Sequence, residues 1–150
     1  MSLNRLMSEI DSIIEDAKAA ILATVDEKGV PKLRWITPGT IPEHPGALYM
    51  VTNNAFDKVE HARNHPDATI MLQTRVLDKV LTLHGTLEVL ENPAIRSDTL
   101  ERVGKRLTAF WKIPAERKGL VVLEFSITRA VLYLPQKGIK TEIPLNGEGV

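Results

Sequence analysis

Four histidines, at positions 44, 61, 65 and 84, are the side chains whose type most readily suggests chemistry, and metal ligation is the chemistry they suggest. His61 and His65 stand four apart, the spacing that sets two imidazoles on one helical face. His65 directly precedes Pro66, which biases it away from helical geometry, and no carboxylate completes an H-E-x-x-H frame. The pattern therefore does not argue for a metal centre. No cysteine is present, which removes disulfides, thiolate ligands and thiol nucleophiles. The chain also lacks a G-x-S-x-G elbow, a P-loop and a G-x-G-x-x-G turn, so hydrolase, nucleotide-hydrolase and Rossmann chemistries find no support.

Other residues of interest have plainer readings. Arg34 within a strand reads as a solvated edge charge, and Lys58 on a helix face reads as surface. Thr37 and Thr52 suit strands whatever else they do. Trp35 reads as a packing residue, and Trp111, beside Phe110 and before Pro114, as a core or interface residue.

The elements that position these residues follow from periodicity. Leu3, Leu6, Met7, Ile10, Ile13 and Ile14 recur at three- and four-residue steps, predicting an amphipathic helix over 3–18. Residues 20–25 and 30–37 read as strands joined by the turn Asp26-Glu27-Lys28-Gly29, a hairpin. Residues 38–46 hold three prolines and two glycines and read as a loop. A third strand follows at 48–52, then a short helix over 55–64 that Asn54 can cap. Strands are predicted at 68–74 and 79–90, with Gly85 as a bulge or close approach. Asn92-Pro93 starts a helix running to about Trp111, since proline at the first helical position loses no needed donor. A last long strand covers 120–134, and the tail after Gln136 is expected to be loosely held.

At 150 residues the chain fits one domain, able to bury roughly 68–70% of its unfolded surface. Nineteen basic and nineteen acidic side chains give zero formal net charge, against binding nucleic acid by bulk electrostatics. No run approaches 18 apolar residues and the acidic N-terminal segment does not read as a signal peptide, so a cytoplasmic protein off the membrane is expected. Hairpin-length connections favour an antiparallel sheet. Six strands in a small domain, with few helices to cover two faces, favour closure into a barrel.

This order, with several local signatures, resembles the pyridoxamine-phosphate-oxidase-like family of FMN-binding split barrels, and within it the general-stress-protein branch. The signatures are Ala23-Thr24-Val25, Gly29-Val30-Pro31, Arg34, Tyr49-Met50-Val51-Thr52, Lys58, Asn64-His65-Pro66 and His84-Gly85-Thr86. The resemblance spans residues 10–134. It implies a mainly β fold, a six-stranded antiparallel split β-barrel with α-helices, working as a homodimer with pockets at the subunit interface. It implies FMN as cofactor, with backbone from two strands at the ring and a lysine at the phosphate. Carried over, the cofactor-binding residues are Arg34, Trp35, Ile36, Thr37, Val51, Thr52 and Lys58, with Trp111 lying over the partner's flavin. Alternation sends Arg34 and Trp35 to opposite faces, so only one side chain can enter the pocket.

The chain departs from the vitamin-synthesising oxidases at several positions. Their serine, arginine and lysine after the strand threonine are here Phe56, Asp57 and Lys58. A further lysine is here Gly39, and a glutamine of the fifth strand is missing from Val80-Leu81-Thr82-Leu83. Losing two charge-assisted hydrogen bonds costs roughly 3–6 kcal/mol of phosphate affinity. Vitamin B6 synthesis is not expected. The resemblance implies a flavin-dependent oxidoreductase for an unspecified small molecule, with no catalytic acid or base assignable. The competing reading is a non-enzymatic module holding flavin, a deazaflavin or haem. Apolar Trp35, Ile36, Met50 and Met71 are candidates for a dimer face that one barrel leaves uncovered.

Overall fold

The computed structural model describes residues 2–53, 65–107 and 120–145. Helix α1 (Leu3–Ala17) begins where the Ser2 hydroxyl accepts a hydrogen bond from the Arg5 N–H at 3.2 Å. Its apolar period buries Leu6, Ile10, Ile13 and Ile14 to 1% exposure or less. Burial of this kind stabilises by about 1.5–3 kcal/mol per side chain, so packing rather than propensity holds the helix in place. Ion pairs fasten its polar side to the sheet. Asp16 accepts the Arg75 N–H at 2.8 Å and its guanidinium at 3.2 Å, while Lys79 reaches Glu9 at 2.9 Å.

The strands are β1 (Ala20–Val25), β2 (Pro31–Ile36), β3 (Ala47–Asn53), β4 (Asp67–Gln73), β5 (Val80–Leu90), β6 (Leu120–Leu134) and β7 (Ile139–Pro144). The β1–β2 turn forms because the Asp26 carboxylate accepts the N–H groups of Lys28 and Val30, both at 2.9 Å. Gly29 takes φ +81° there, where a Cβ would be strained. Every paired neighbour is antiparallel, in the order β2-β1-β4-β5-β6-β3. The two ends of that order meet beyond β2, where Gly39 and Tyr49 exchange N–H···O bonds of 2.8 Å each. That single bridge closes the sheet into a barrel.

Gly85 marks a register shift between β5 and β6. A Cβ built there would stand 2.0 Å from the Ser126 carbonyl oxygen and 2.9 Å from the Phe125 ring. Here glycine is required by space rather than by backbone angle. Helix α2 (Pro93–Leu107) starts as the sequence predicts, with the Asn92 side chain accepting from the Ala94 N–H at 2.9 Å. The main core fills the barrel and meets α1; a smaller cluster around Ile41, Tyr49, Val51 and Val122 takes Leu100 of α2.

Two expectations need correction. The tail is not loose over its whole length, because residues 139–144 pair with β6 as a seventh strand. β3 covers β6 only from Leu120 to Ser126, and β7 satisfies the edge left open at Arg129–Leu134 while burying Ile143. Ile36 and Met50 are not surface residues either, at 5% and 1% exposure. Of the four apolar side chains expected on a shared face, Trp35 is exposed and Met71 half-buried. The helix expected over 55–64 lies outside the described residues.

Candidate functional site where β2 and β3 part

The closing bridge is isolated, and among the described residues no further β2–β3 pair follows it. Continuing its antiparallel register sets Thr37 against Val51 and Ile36 against Thr52. At these positions the strands have instead separated. Each strand is already engaged on its other side, β2 by β1 as far as Ile36 and β3 by β6 as far as Asn53. The parting therefore exposes backbone edges of two strands to each other without a ladder between them, and four sequence-derived candidates stand on it.

Arg34 lies on the interior side of β2, half-buried, and its guanidinium donates to the Thr24 hydroxyl at 2.7 Å. Thr24 is 1% exposed, so the cation is oriented by a fixed acceptor. Trp35 points to the opposite face and is 82% exposed. The alternation expected of this pair is realised with arginine inward. Ile36 belongs to the main core and Val51 to the smaller cluster, while Thr37 is half-buried just past β2.

Thr52 stands out. Its side chain is fully buried, and its hydroxyl finds no hydrogen-bond partner among the described residues. Native proteins rarely tolerate this, because an unpaired buried hydroxyl costs about 1–3 kcal/mol. A polar ligand group entering the parting would satisfy it. Lys58 and Trp111, the other two candidates, lie outside the described residues.

Two features escaped the sequence reading. Thr24 holds Arg34; beyond its place in the Ala23-Thr24-Val25 signature, its only sequence signal is a polar residue on the inward-facing side of β1. Tyr49 donates its hydroxyl proton to Glu124 at 2.7 Å across β3 and β6. Burial pushes the Tyr49 hydroxyl well above the ordinary tyrosine range, and the hydrogen bond to the Glu124 carboxylate and its charge add to the rise.

The family described as pyridoxamine 5'-phosphate oxidase matches residues 6–133. The chain belongs to this family. A curated pyridoxine/pyridoxamine 5'-phosphate oxidase from Shewanella pealeana is 29% identical over 101 residues, 67% of this chain and 47% of that protein. The chain thus spans about half the length of the curated relative it matches. A Clostridium acetobutylicum protein related to general stress protein 26 superposes with a TM-score of 0.74 at 17% identity, covering 97% of this chain and 98% of its own. A pyridoxamine 5'-phosphate oxidase-related, FMN-binding protein from Nostoc punctiforme does so at 0.67 and 14% identity, covering 97% and 100%. The split barrel anticipated from the sequence is thereby shown, with seven strands in place of six. Among the described residues no helix is long and apolar enough to cross a membrane.

FMN carries a flat ring, a polar pyrimidine edge and a dianionic phosphate. The parting offers matching groups: unladdered strand edges, a buried hydroxyl without a partner among the described residues, and a cation oriented by Thr24. The residues present fit that group.

Proposed function

We propose that the chain is an FMN-binding protein, working as a flavin-dependent oxidoreductase on a small molecule and acting as a homodimer. The observation that carries the reading is the buried hydroxyl of Thr52, without a hydrogen-bond partner among the described residues, at the place where β2 and β3 separate, in a chain of this family. Arg34 would hold the phosphate, with Thr24 fixing its rotamer, and Lys58 would add the second charge. Backbone of residues 35–37 and 51–52 would meet the ring's polar edge, and the Thr52 hydroxyl would bond to the ligand. Ile36, in the main core, and Val51, in the smaller cluster, would keep water from the two sides of the parting. The flavin, when bound, supplies the capacity to accept and release electrons or a hydride. This chain's own residues bind, orient and exclude water, and none is assigned a proton-transfer step.

A second reading is favoured by one observation. Gly39, where the vitamin-synthesising oxidases place a lysine, is a member of the closing bridge, leaving a thinner set of cations for a phosphate. That suits a non-enzymatic module for flavin, a deazaflavin or haem. Absorbance of freshly purified protein separates the readings. A flavin spectrum that NAD(P)H bleaches supports the oxidoreductase, and flavin without turnover of any reductant supports the carrier. A Soret band replaces flavin with haem. Failure of the colourless protein to take up FMN at micromolar concentration rejects the FMN site.

A further inference from the structure

Helix α1 meets the barrel along its underside and along both flanks. At about 100° per residue, Leu6, Ile10, Ile13 and Ile14 fall within an arc of roughly 100° that faces the core. Glu9 and Asp16 lie about 20° apart on one flank, and Met7 and Asp11 about 40° apart on the opposite flank. The first flank is ion-paired to the β4–β5 turn, through Arg75 to Asp16 at 3.2 Å and Lys79 to Glu9 at 2.9 Å. The second flank holds the connection from β2 to β3. There the Thr40 hydroxyl donates to the Asp11 carboxylate at 2.5 Å, and the Gly46 N–H donates to the Met7 sulfur at 3.4 Å. These contacts grip the two ends of segment 40–46.

That segment is a compact turn rather than a slack loop. Ile41 is 1% exposed in the smaller cluster, and its carbonyl accepts the His44 N–H at 2.9 Å. Gly39, which closes the barrel with Tyr49, immediately precedes it. Among the described residues this bridge alone joins β2 to β3, through two hydrogen bonds of 2.8 Å. An isolated bridge has no ladder on either side to hold it, so its position depends on what holds the adjoining turn. Helix α1 does so, braced from behind against β4–β5.

We propose that α1 is a strut that sets the parting of β2 and β3, with Asp11 and Thr40 as positioning residues for the ligand held there. The inference rests on the FMN site proposed above and adds how its width is fixed. Both residues act through Gly39, which is bonded to Thr40 and stands two residues beyond Thr37. Tyr49, across the bridge, stands two residues before Val51. A displaced bridge therefore moves both edges of the parting. Hydrogen bonds need donor–acceptor distances of about 2.7–3.2 Å, so a ligand bonded to both edges is sensitive to a shift of about half an ångström.

Asp11→Ala and Thr40→Val remove the contact, whereas Asp11→Asn keeps an acceptor oxygen and Thr40→Ser keeps the hydroxyl. Amide exchange of the ligand-free protein is followed by NMR at Gly39 and Tyr49, with the β4–β5 ladder as internal reference. FMN affinity is measured by fluorescence quenching. In Asp11→Ala and Thr40→Val, bridge exchange relative to the ladder and the FMN dissociation constant should each rise roughly 2- to 12-fold, the worth of one ordinary hydrogen bond. Asp11→Asn and Thr40→Ser should track the wild type in both. The double variant Asp11→Ala/Thr40→Val should go no further than either single change, because the two residues share one contact. Exchange that rises equally throughout the sheet, or is unchanged at the bridge, overturns the strut. Faster bridge exchange with undiminished FMN affinity overturns the positioning roles. A wild type that takes up no FMN removes the ligand reading and those roles with it, while exchange at the bridge still decides the strut.

Discussion

Replacing Thr52 by valine exchanges a hydroxyl for a methyl at a position with no measurable exposure and no hydrogen-bond partner among the described residues. In the ligand-free protein the threonine carries the desolvation cost of an unsatisfied hydroxyl, about 1–3 kcal/mol. Valine removes that cost and has equal or better strand propensity. Thr52→Val is therefore expected to stabilise the ligand-free protein by about 1–2 kcal/mol. At this chain length that corresponds to a melting temperature higher by roughly 2–8 °C. The same change deletes the bond offered to a ligand. Its loss costs about 0.5–1.5 kcal/mol if the acceptor is neutral and 1.5–3 if it is charged. FMN affinity should fall by roughly 2- to 150-fold. Thermal unfolding after stripping ligand gives the first quantity, and flavin fluorescence quenching on titration gives the second. Saturating FMN must narrow or reverse the stability difference, since ligand stabilises the tighter binder more. A variant less stable than wild type without ligand would show that the hydroxyl is already satisfied. A more stable variant with undiminished FMN affinity would show that it is orphaned but not aimed at the cofactor.

Gly85→Ala must displace the Ser126 carbonyl, which a Cβ would approach to 2.0 Å, so denaturant titration should show a loss of at least about 2–3 kcal/mol. Tyr49→Phe strands the Glu124 carboxylate and should cost about 1–3 kcal/mol at neutral pH. The raised Tyr49 ionisation favours the folded state fully below pH 10.0, the ordinary value, and this contribution is lost as pH climbs above it. Wild-type stability should thus fall in the alkaline range more steeply than that of Tyr49→Phe; parallel alkaline profiles would refute the assignment. The Arg75 N–H and guanidinium hold the Asp16 carboxyl below its ordinary value of 3.8, while burial opposes them. Disrupting the side-chain part with Arg75→Ala should move the Asp16 titration followed by NMR toward that value.

Much of the scaffold was legible because local chemistry and long-range packing agree. The α1 period, the Asp26–Gly29 turn, the Asn92-Pro93 start and the constraint at Gly85 each reappear with the partner that explains them. β7 has a local signal, since Ile-Lys-Thr-Glu-Ile alternates after Gly138, but glycine and proline around it give the segment the look of a tail. What made it a strand was the uncovered edge of β6, a fact of topology that no local pattern contains. The contact between Arg34 and Thr24 is similar, because those residues are not direct cross-strand partners; Thr24 faces Lys32 and Arg34 faces Leu22. Lys58 and Trp111 rest on the resemblance alone.

β2 departs most from ordinary patterning. Pro-Lys-Leu-Arg-Trp-Ile alternates cleanly, and the usual rule would turn leucine and tryptophan toward the core. The structure does the reverse: Arg34 faces the interior with Ile36, while Leu33 and Trp35 face outward at 72% and 82% exposure. A slip of one residue would bury both apolar side chains, so the observed phase needs a cause. The register with β1 runs unbroken from Ala20–Ile36 to Val25–Pro31, and Ile36 is 5% exposed at the end that leads to the closing bridge. Closure of the barrel thus fixes the phase at Ile36, and Arg34 and Trp35 follow from it. One face of the strand then carries Arg34 beside Thr24, and the other carries Leu33 and Trp35 without apolar cover among the described residues. In the proposed function a phosphorylated ring would meet the first side chain, and a second protomer would cover apolar surface of the barrel. On this account Thr52→Val should weaken FMN binding, read by fluorescence quenching, while association read by light scattering stays intact. If Thr52→Val instead impaired both equally, ligand pocket and association surface would belong to a single site.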